Sequence, residues 1–277
     1  MDNFSLVLHA FRQERFRQTD ARRVHTIDEA LGFINDMGFC LFCRHPPLEL
    51  PNLRDATAGD SGASEGLNWQ WKDELATAQR VYYGRPFHRK PGFVALPLLA
   101  PLYGVSAVAD FGGDYHELAL TGTLSAEAVR IADTIQDQGS MSTRALRQQS
   151  GLSASQDKTR FARGLEEAQA GFLVAMVRTT STSRAGYGYV WDSFERAWPD
   201  AAAAGERMRP PDAAAALLAR YVDTVGATTL RMFARILDLD DRLVETAAAG
   251  LIAQGTVTQV TRGKAVYLVS HALFTSL

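Results

Sequence analysis

The sequence predicts a mostly α-helical fold with small β-hairpins, organised as tandem winged helix-turn-helix domains. Three observations predict it. From Leu124 to Trp191 the apolar positions trace helix, short strand, helix, longer helix and two-strand hairpin, switching from spacings of three and four to alternation. The same order returns between Leu217 and Val269. Glycines and small polar capping residues stand at the joints of both stretches.

In the central stretch the first helix begins after Thr123 or Ser125, turns Leu124, Ala128, Ala132 and Ile135 inward, and ends at Gly139. Met141 is placed as a one-strand stub, Thr143 to Gln149 as a short second helix, and Gly151 as the turn. Ser153-Ala-Ser-Gln156 has capping-box spacing and opens a third helix whose inward stripe is Phe161, Leu165, Ala168 and Phe172. Opposite that stripe fall Gln156, Thr159, Arg160 and Arg163, residue types that read guanine and adenine edges in a major groove. The hairpin runs from Leu173 to Arg178 and returns through Tyr187 to Trp191, with Arg184 at its tip. From Arg144 to Arg163 there are five cations (Arg144, Arg147, Lys158, Arg160, Arg163) and one anion (Asp157), a local charge of +4. The expected partner is therefore double-stranded DNA, bound by this unit.

The N-terminal half is less regular. Phe4 to Gln18 predicts an amphipathic helix, Thr26-Ile-Asp-Glu29 a capping box opening a helix to about Met37, and Phe39 to Phe42 a short strand beyond Gly38. Arg54 to Gly66, rich in Gly, Ala, Ser and Asp, reads as a surface loop. Next comes Trp69-Gln-Trp-Lys-Asp-Glu-Leu75, then Arg80-Val-Tyr-Tyr-Gly-Arg85 and His88-Arg-Lys90. Basic residues interleaved with aromatics grip phosphates and stack on bases. On that reading Trp69, Trp71, Tyr82 and Tyr83 stack, and Lys72, Arg85, Arg89 and Lys90 hold phosphate. The bland alternative buries Trp69, Trp71 and Tyr82 as core anchors, since aromatics are usually inside.

Trp198 to Asp212 reads as a linker. In the C-terminal stretch Leu217, Leu218, Tyr221 and Val225 mark a first helix. Thr228 caps a short second one, and Asp240 or Asp241 opens a third, with Val244, Ala247, Ala248 and Leu251 inward. Asp238, Asp240, Asp241 and Glu245 surround Arg242 there, and phosphate repels such a helix. This unit is expected to be scaffold, touching DNA only through Arg262 and Lys264 in its hairpin turn. The expected layout is residues 1–50, a connecting region 51–117, a central winged helix 118–197 and a C-terminal winged helix 210–277.

Composition narrows the classes. The net charge of the 277 residues is −2, so polyanion affinity has to be local. The two cysteines, Cys40 and Cys43, with His45 nearby, make half a zinc site and no disulfide framework; buried or inert thiols are expected, with no metal and no cofactor. The longest apolar run, Phe93 to Val105, is broken by Pro97 and Pro101, and a cytoplasmic, nucleoid-associated chain without a membrane span is expected. Phosphate-binding glycine loops and the nucleophile elbow are absent.

The Trp-x-Trp-Lys-Asp-Glu-Leu stretch, Tyr-Tyr-Gly-Arg, the Gly38-Phe-Cys-Leu-Phe42 strand and the tandem pattern together resemble the AlkZ-related group, relatives of the AlkZ/YcaQ-type bacterial DNA glycosylases. The resemblance covers most of residues 26 to 269 and implies winged-helix domains around a DNA-binding concavity. It also implies DNA repair, as a DNA glycosylase acting on alkylated or crosslinked DNA. Enzymes of that superfamily carry a Gln-apolar-Gln or Gln-apolar-Asp motif in the first unit, where it orients water and stabilises a cationic sugar. This chain has no such motif before residue 66, and Gln136-Asp-Gln138 fits neither in composition nor in position. Gln70, Asp73 and Glu74 are the candidates to replace it, on cationic adducts such as N7-alkylguanine. Their bland alternative is charge at a helix start. The competing functions are a non-enzymatic winged-helix transcription regulator and a protein-interaction scaffold.

Overall fold

The computed structural model describes residues 3–59, 61–110, 112–181 and 186–275. Within them the chain is mostly helical, with three small antiparallel sheets of three strands. After α1 (Asn3–Arg15), the predicted capping box opens α2 (Ile27–Met37): the Thr26 hydroxyl accepts from the Glu29 N–H, and the Glu29 carboxylate accepts from the backbone of Thr26. Gly38, at φ +74°, ends the helix where a side chain would be strained. Then follow β1 (Phe39–Leu41), α3 (Leu53–Ala56), α4 (Ser61–Thr77), β2 (Tyr82–Phe87) and β3 (Lys90–Val94). β1 pairs with β3, Phe39 opposite Val94, and β3 with β2.

The sheet and the helices of this region correct two expectations. A boundary at residue 50 cuts through one sheet, because the unit runs from 27 to 94. The 54–66 stretch is not a loop; apart from Thr57 to Gly59 its described residues are helical. The cause lies in α4, whose buried face combines Ser64, Asn68 and Lys72 with Trp71 and Leu75. Polar residues at i, i+4 and i+8 erase the apolar period that marks a helix.

Three short helices, α5 (Leu99–Gly104), α6 (Ala107–Asp110) and α7 (Tyr115–Leu120), lead to the central unit. Its elements are α8 (Ala126–Gln138), β4 (Met141–Ser142), α9 (Thr143–Gln149), α10 (Lys158–Ala170), β5 (Val174–Thr179) and β6 (Tyr189–Ser193), in the sheet order β4-β6-β5. Ser125 caps α8 and Ser142 caps α9. The Ser153 capping box does not form. α10 is preceded by a 3-10 turn, Ser155–Asp157, whose capping residue is Ala154. The Arg147 guanidinium holds that turn instead, donating to the carbonyls of Leu152 (2.9 Å) and Ala154 (2.7 Å).

After α11 (Phe194–Ala197), the stretch expected as a linker contains α12 (Pro199–Glu206). α12 crosses α5 at two glycines: a Cβ on Gly104 would lie 2.8 Å from the Gly205 carbonyl oxygen, and one on Gly205 2.6 Å from that of Ala100. The C-terminal unit repeats the order with α13 (Pro210–Val225), β7 (Ala227–Thr228), α14 (Leu230–Leu237), α15 (Asp241–Ala253), β8 (Thr258–Arg262) and β9 (Ala265–Val269), followed by α16 (His271–Phe274). Thr229 caps α14, one place beyond the expected Thr228, which is spent on β7; Asp240 caps α15 as read.

One apolar core joins the units. Tyr82 of β2 stacks on Phe172 (5.8 Å), and Tyr103 of α5 on Phe194 (4.9 Å). α1 crosses to the far end of the chain. Phe4 packs on Tyr267, and Arg12 donates to the Val225 and Ala227 carbonyls while pairing with Glu49. The bond to Val225 satisfies the last carbonyl of α13, and the bond to Ala227 ties α1 to the start of β7.

Candidate functional site

The most concentrated chemistry lies where α4 meets the central hairpin. Helical spacing puts Asn68 and Lys72 on the buried face of α4, with Trp69, Gln70 and Glu74 on the exposed one. Lys72 is fully buried, yet its ammonium is satisfied. Nζ donates to Asp73 Oδ1 (2.5 Å), Tyr187 Oη (2.8 Å) and Tyr189 Oη (2.6 Å). Aromatic rings surround it, with centroids at 4.3 Å (Trp69), 4.8 Å (Tyr189), 5.3 Å (Tyr83) and 5.5 Å (Tyr187). Buried charge is tolerated only with such partners.

The hairpin supplies its share through strand alternation. Tyr189 and Trp191 project to one side, and Tyr187, just before β6, continues the series. Tyr187 also donates to Asp73 Oδ1 (3.1 Å). Burial, together with Tyr189 and the Asp73 carboxylate, pushes its phenol far above the ordinary value, so it acts as a neutral donor. Trp191 Nε1 donates to the Thr143 hydroxyl (2.8 Å), and that hydroxyl donates to the Tyr189 carbonyl (3.1 Å), fixing α9 against the strand.

Tyr187 and Tyr189 also line a cleft of about 770 Å³. α9 contributes Arg144, Arg147 and Gln148 to it, and among the described residues its lining contains no carboxylate. Arg144 is exposed and makes no ion pair among the described residues. A second cleft, of about 580 Å³, lies between α8, α10 and the tip of the first hairpin. Its three arginines, Arg89, Arg160 and Arg163, face three carboxylates, Glu127, Glu166 and Glu167. Arg160 is bound by Glu127 and also by Asp157 (3.3 Å), and its hydrogen bonds hold the Glu127 carboxyl below the ordinary range. Arg89 lies 3.8 Å from Glu167, and Arg85 lies 3.6 Å from Glu166.

The sequence-based candidates therefore divide. Trp69, Lys72, Asp73 and Tyr83 come together; Trp69 is 41 % exposed, which corrects its reading as a core anchor. Lys72 is an internal cation rather than a phosphate contact. Trp71 and Tyr82 are 4 % and 1 % exposed and belong to the core, so neither is placed to stack on a base. Gln70 and Glu74 do not join Asp73: the Gln70 amide donates to the Glu74 carboxylate (2.7 Å) on the solvent side of α4. Arg144 and Arg147 share the first cleft, while Arg85, Arg89 and Arg160 are held in ion pairs. Gln156, Lys158 and Thr159 are exposed at the start of α10, apart from both groups, and Lys90 is half-buried in β3. Arg262 covers the Phe4 ring (5.5 Å) and Lys264 is exposed in its turn. Arg184 lies outside the described residues. Cys40 is buried, which raises its thiol, and no group of three metal-ligating side chains occurs among the described residues. Sequence reasoning missed Tyr187 and Tyr189 as site residues; the Tyr-x-Tyr-x-Trp alternation from Tyr187 to Trp191 was the signal available.

Repeated helix–strand–helix–helix–hairpin units, joined by aromatic contacts and flanked by an arginine-lined cleft, define a multi-unit helical protein with a surface suited to an anionic ligand. The chain belongs to the AlkZ-related family, whose model matches residues 24–238. Among solved structures it is similar to the DNA glycosylase AlkZ of Streptomyces sahachiroi, at 13 % identity and a TM-score of 0.61 over 100 % of this chain and 72 % of that one, a likeness of fold. No curated protein matches the chain in sequence. No helix among the described residues is long and apolar enough to cross a membrane.

Proposed function

We propose that this chain binds duplex DNA, that its three repeated units act as tandem winged helices, and that the cleft between α9 and the Tyr187–Tyr189 edge is the main contact. The observation that carries this reading is the makeup of that cleft: two arginines, hydroxyl and amide groups, exposed aromatic surface at its rim, and no acid in its lining. Phosphates are drawn to such a surface, and sequence-independent affinity follows from the cations that meet them. Anisotropy of a labelled duplex of about two helical turns tests it. Saturable binding that weakens as salt rises is expected; no binding at low salt contradicts it.

A second reading, excision of a damaged base, is favoured by Asp73. Its carboxylate accepts from Tyr187 and Lys72, and Tyr187 in turn packs edge-on against Trp69, so an acid stands beside polar donors and aromatic rings as a group facing a displaced nucleotide would. Against it, neither glutamine of the first unit, Gln70 or Gln79, is followed two places later by Gln or Asp, and Asp73 is already paired with Lys72. Release of modified base by the parent and by Asp73→Asn, with duplex affinity measured in parallel, decides it. Release above the spontaneous rate that Asp73→Asn loses supports excision at this site. No release from the parent leaves DNA binding without chemistry.

A further inference from the structure

A third cleft, of about 590 Å³, opens where α2, the end of α4 and α13 meet the turn before α5, with no residue of the central unit in its lining. That volume is in the range of small-molecule sites. Its walls are mostly apolar: Leu31 of α2, and Leu96, Pro97 and Leu98 of the turn. Leu96 is 39 % exposed on a backbone that Pro97 stiffens. The charged part is two arginines, Arg80 after α4 and Arg220 of α13, and no carboxylate lines the cleft among the described residues. Arg80 is exposed, and its side chain makes no hydrogen bond or ion pair among the described residues. Arg220 donates to the Asn35 carbonyl (2.6 Å) and lies 3.8 Å from Asp223, which Arg15 also holds, at 3.1 Å. Two guanidinium groups thus share one carboxylate. Asp36, beside Asn35, is held by Arg17 (2.9 Å), and Asp28, one turn before Leu31, is exposed and outside the lining. The cleft is preformed. Gly38 leaves the space in which it is built: a Cβ there would lie 2.6 Å from Leu98 Cδ1 and 2.7 Å from Arg220 Nε. Gln79, at φ +50°, turns the chain off α4 and donates to the Ala197 carbonyl (2.9 Å), fixing the backbone next to Arg80.

We propose that this cleft binds a small molecule with an apolar body and one carboxylate, such as an aromatic acid. The body covers Leu31, Leu96 and Leu98, and the carboxylate accepts from Arg80 and Arg220. A guanidinium fork matches the two oxygens of a carboxylate. A cationic ligand of the same shape meets Arg80 with no acid in the lining to offset it. Arg80 belongs to the first unit and Arg220 to the C-terminal one, so the occupied cleft ties the two together, beside the bond from the Thr224 hydroxyl to the Met37 carbonyl (2.6 Å) that already joins them. None of the residues that line it is assigned to the duplex, so the site stands or falls apart from DNA binding.

Isothermal titration calorimetry with three probes of one ring system tests the proposal: 1-naphthoate, the neutral 1-naphthalenemethanol and the cationic 1-naphthylmethylammonium. The parent is expected to bind naphthoate saturably and at least about tenfold more tightly than the alcohol, the scale of one hydrogen bond between charged groups. The ammonium should not saturate. Arg80→Ala should cut the preference for naphthoate over the alcohol to below about threefold, since it removes one of the two charged donors. Leu96→Asp sets an acid at the rim and should abolish naphthoate binding. Both positions are exposed, so both variants keep the parent's cooperative melting. No saturable naphthoate binding by the parent overturns the proposal, as does equal affinity for the alcohol. An unchanged preference in either variant overturns it as well. Loss of naphthoate binding in Arg144→Ala would put the anion in the cleft beside Tyr187 and overturn it too.

Discussion

Two clefts on the central unit are rich in arginine, and only one is positively charged. The cleft between α9 and Tyr187–Tyr189 has Arg144 and Arg147 and no acid in its lining. The cleft between α10 and the first hairpin has three arginines and three glutamates. Charge counted along the chain is the same kind of evidence for both. What differs is what other elements bring: Tyr187 and Tyr189 to the first, Glu127 of α8 and the hairpin–α10 pairs to the second. An arginine already held by a carboxylate must lose that partner before it can release counterions from DNA. On the third helix of the central unit, expected to read the groove through Arg160 and Arg163, Arg160 is held in ion pairs while Arg163 is exposed with no ion pair among the described residues. Arg160 and the glutamates beside it make that helix the less suited of the two surfaces.

The contrast can be broken or sharpened by substitution. The largest effect is expected at the wall of the acid-free cleft. Lys72→Ala leaves Asp73 and two phenols without their buried partner and should destabilise the protein by about 3 kcal/mol, the low end for a broken buried pair because Asp73 keeps some solvent contact. Urea unfolding checks this; a loss under about 1 kcal/mol would mean the cage does not hold the two units together. Next, Thr143→Val orphans the Trp191 indole N–H and should cost roughly 1–3 kcal/mol in the same experiment. In the acid-lined cleft the expected changes are small. Glu127→Gln weakens the hold on Arg160 and should raise duplex affinity by less than about threefold, the scale of one exposed ion pair; a fall in affinity would show that Glu127 positions a DNA contact. Smallest of all, Arg242→Ala on the acidic α15 should leave affinity unchanged. A large loss with folding intact would move the interface to the C-terminal unit.

Much of the fold was legible. Ser125, the Thr26 capping box, Gly139, Asp240 and the two later hairpins fall where local chemistry puts them, because caps and turns depend on a few neighbouring residues. The first unit was hidden, because α4 buries Ser64, Asn68 and Lys72. Their burial depends on distant partners: Thr57 donates to Asn68, and Tyr187 and Tyr189 accept from Lys72 across more than a hundred positions. The candidate site was half legible for the same reason. Trp69, Lys72 and Asp73 stood out by composition, but their pairing with the central hairpin, and the neutralisation of Arg85, Arg89 and Arg160, come from tertiary contacts that no local window contains.

The salt dependence of duplex affinity, measured for the parent, Arg144→Ala and Arg160→Ala, tests most directly which cleft meets DNA. The slope of log affinity against log salt should fall in magnitude by about 0.9 in Arg144→Ala, the loss of one phosphate contact, and stay at the parent value in Arg160→Ala. An unchanged slope in Arg144→Ala, or a larger fall in Arg160→Ala, would contradict the assignment and return the DNA to α10.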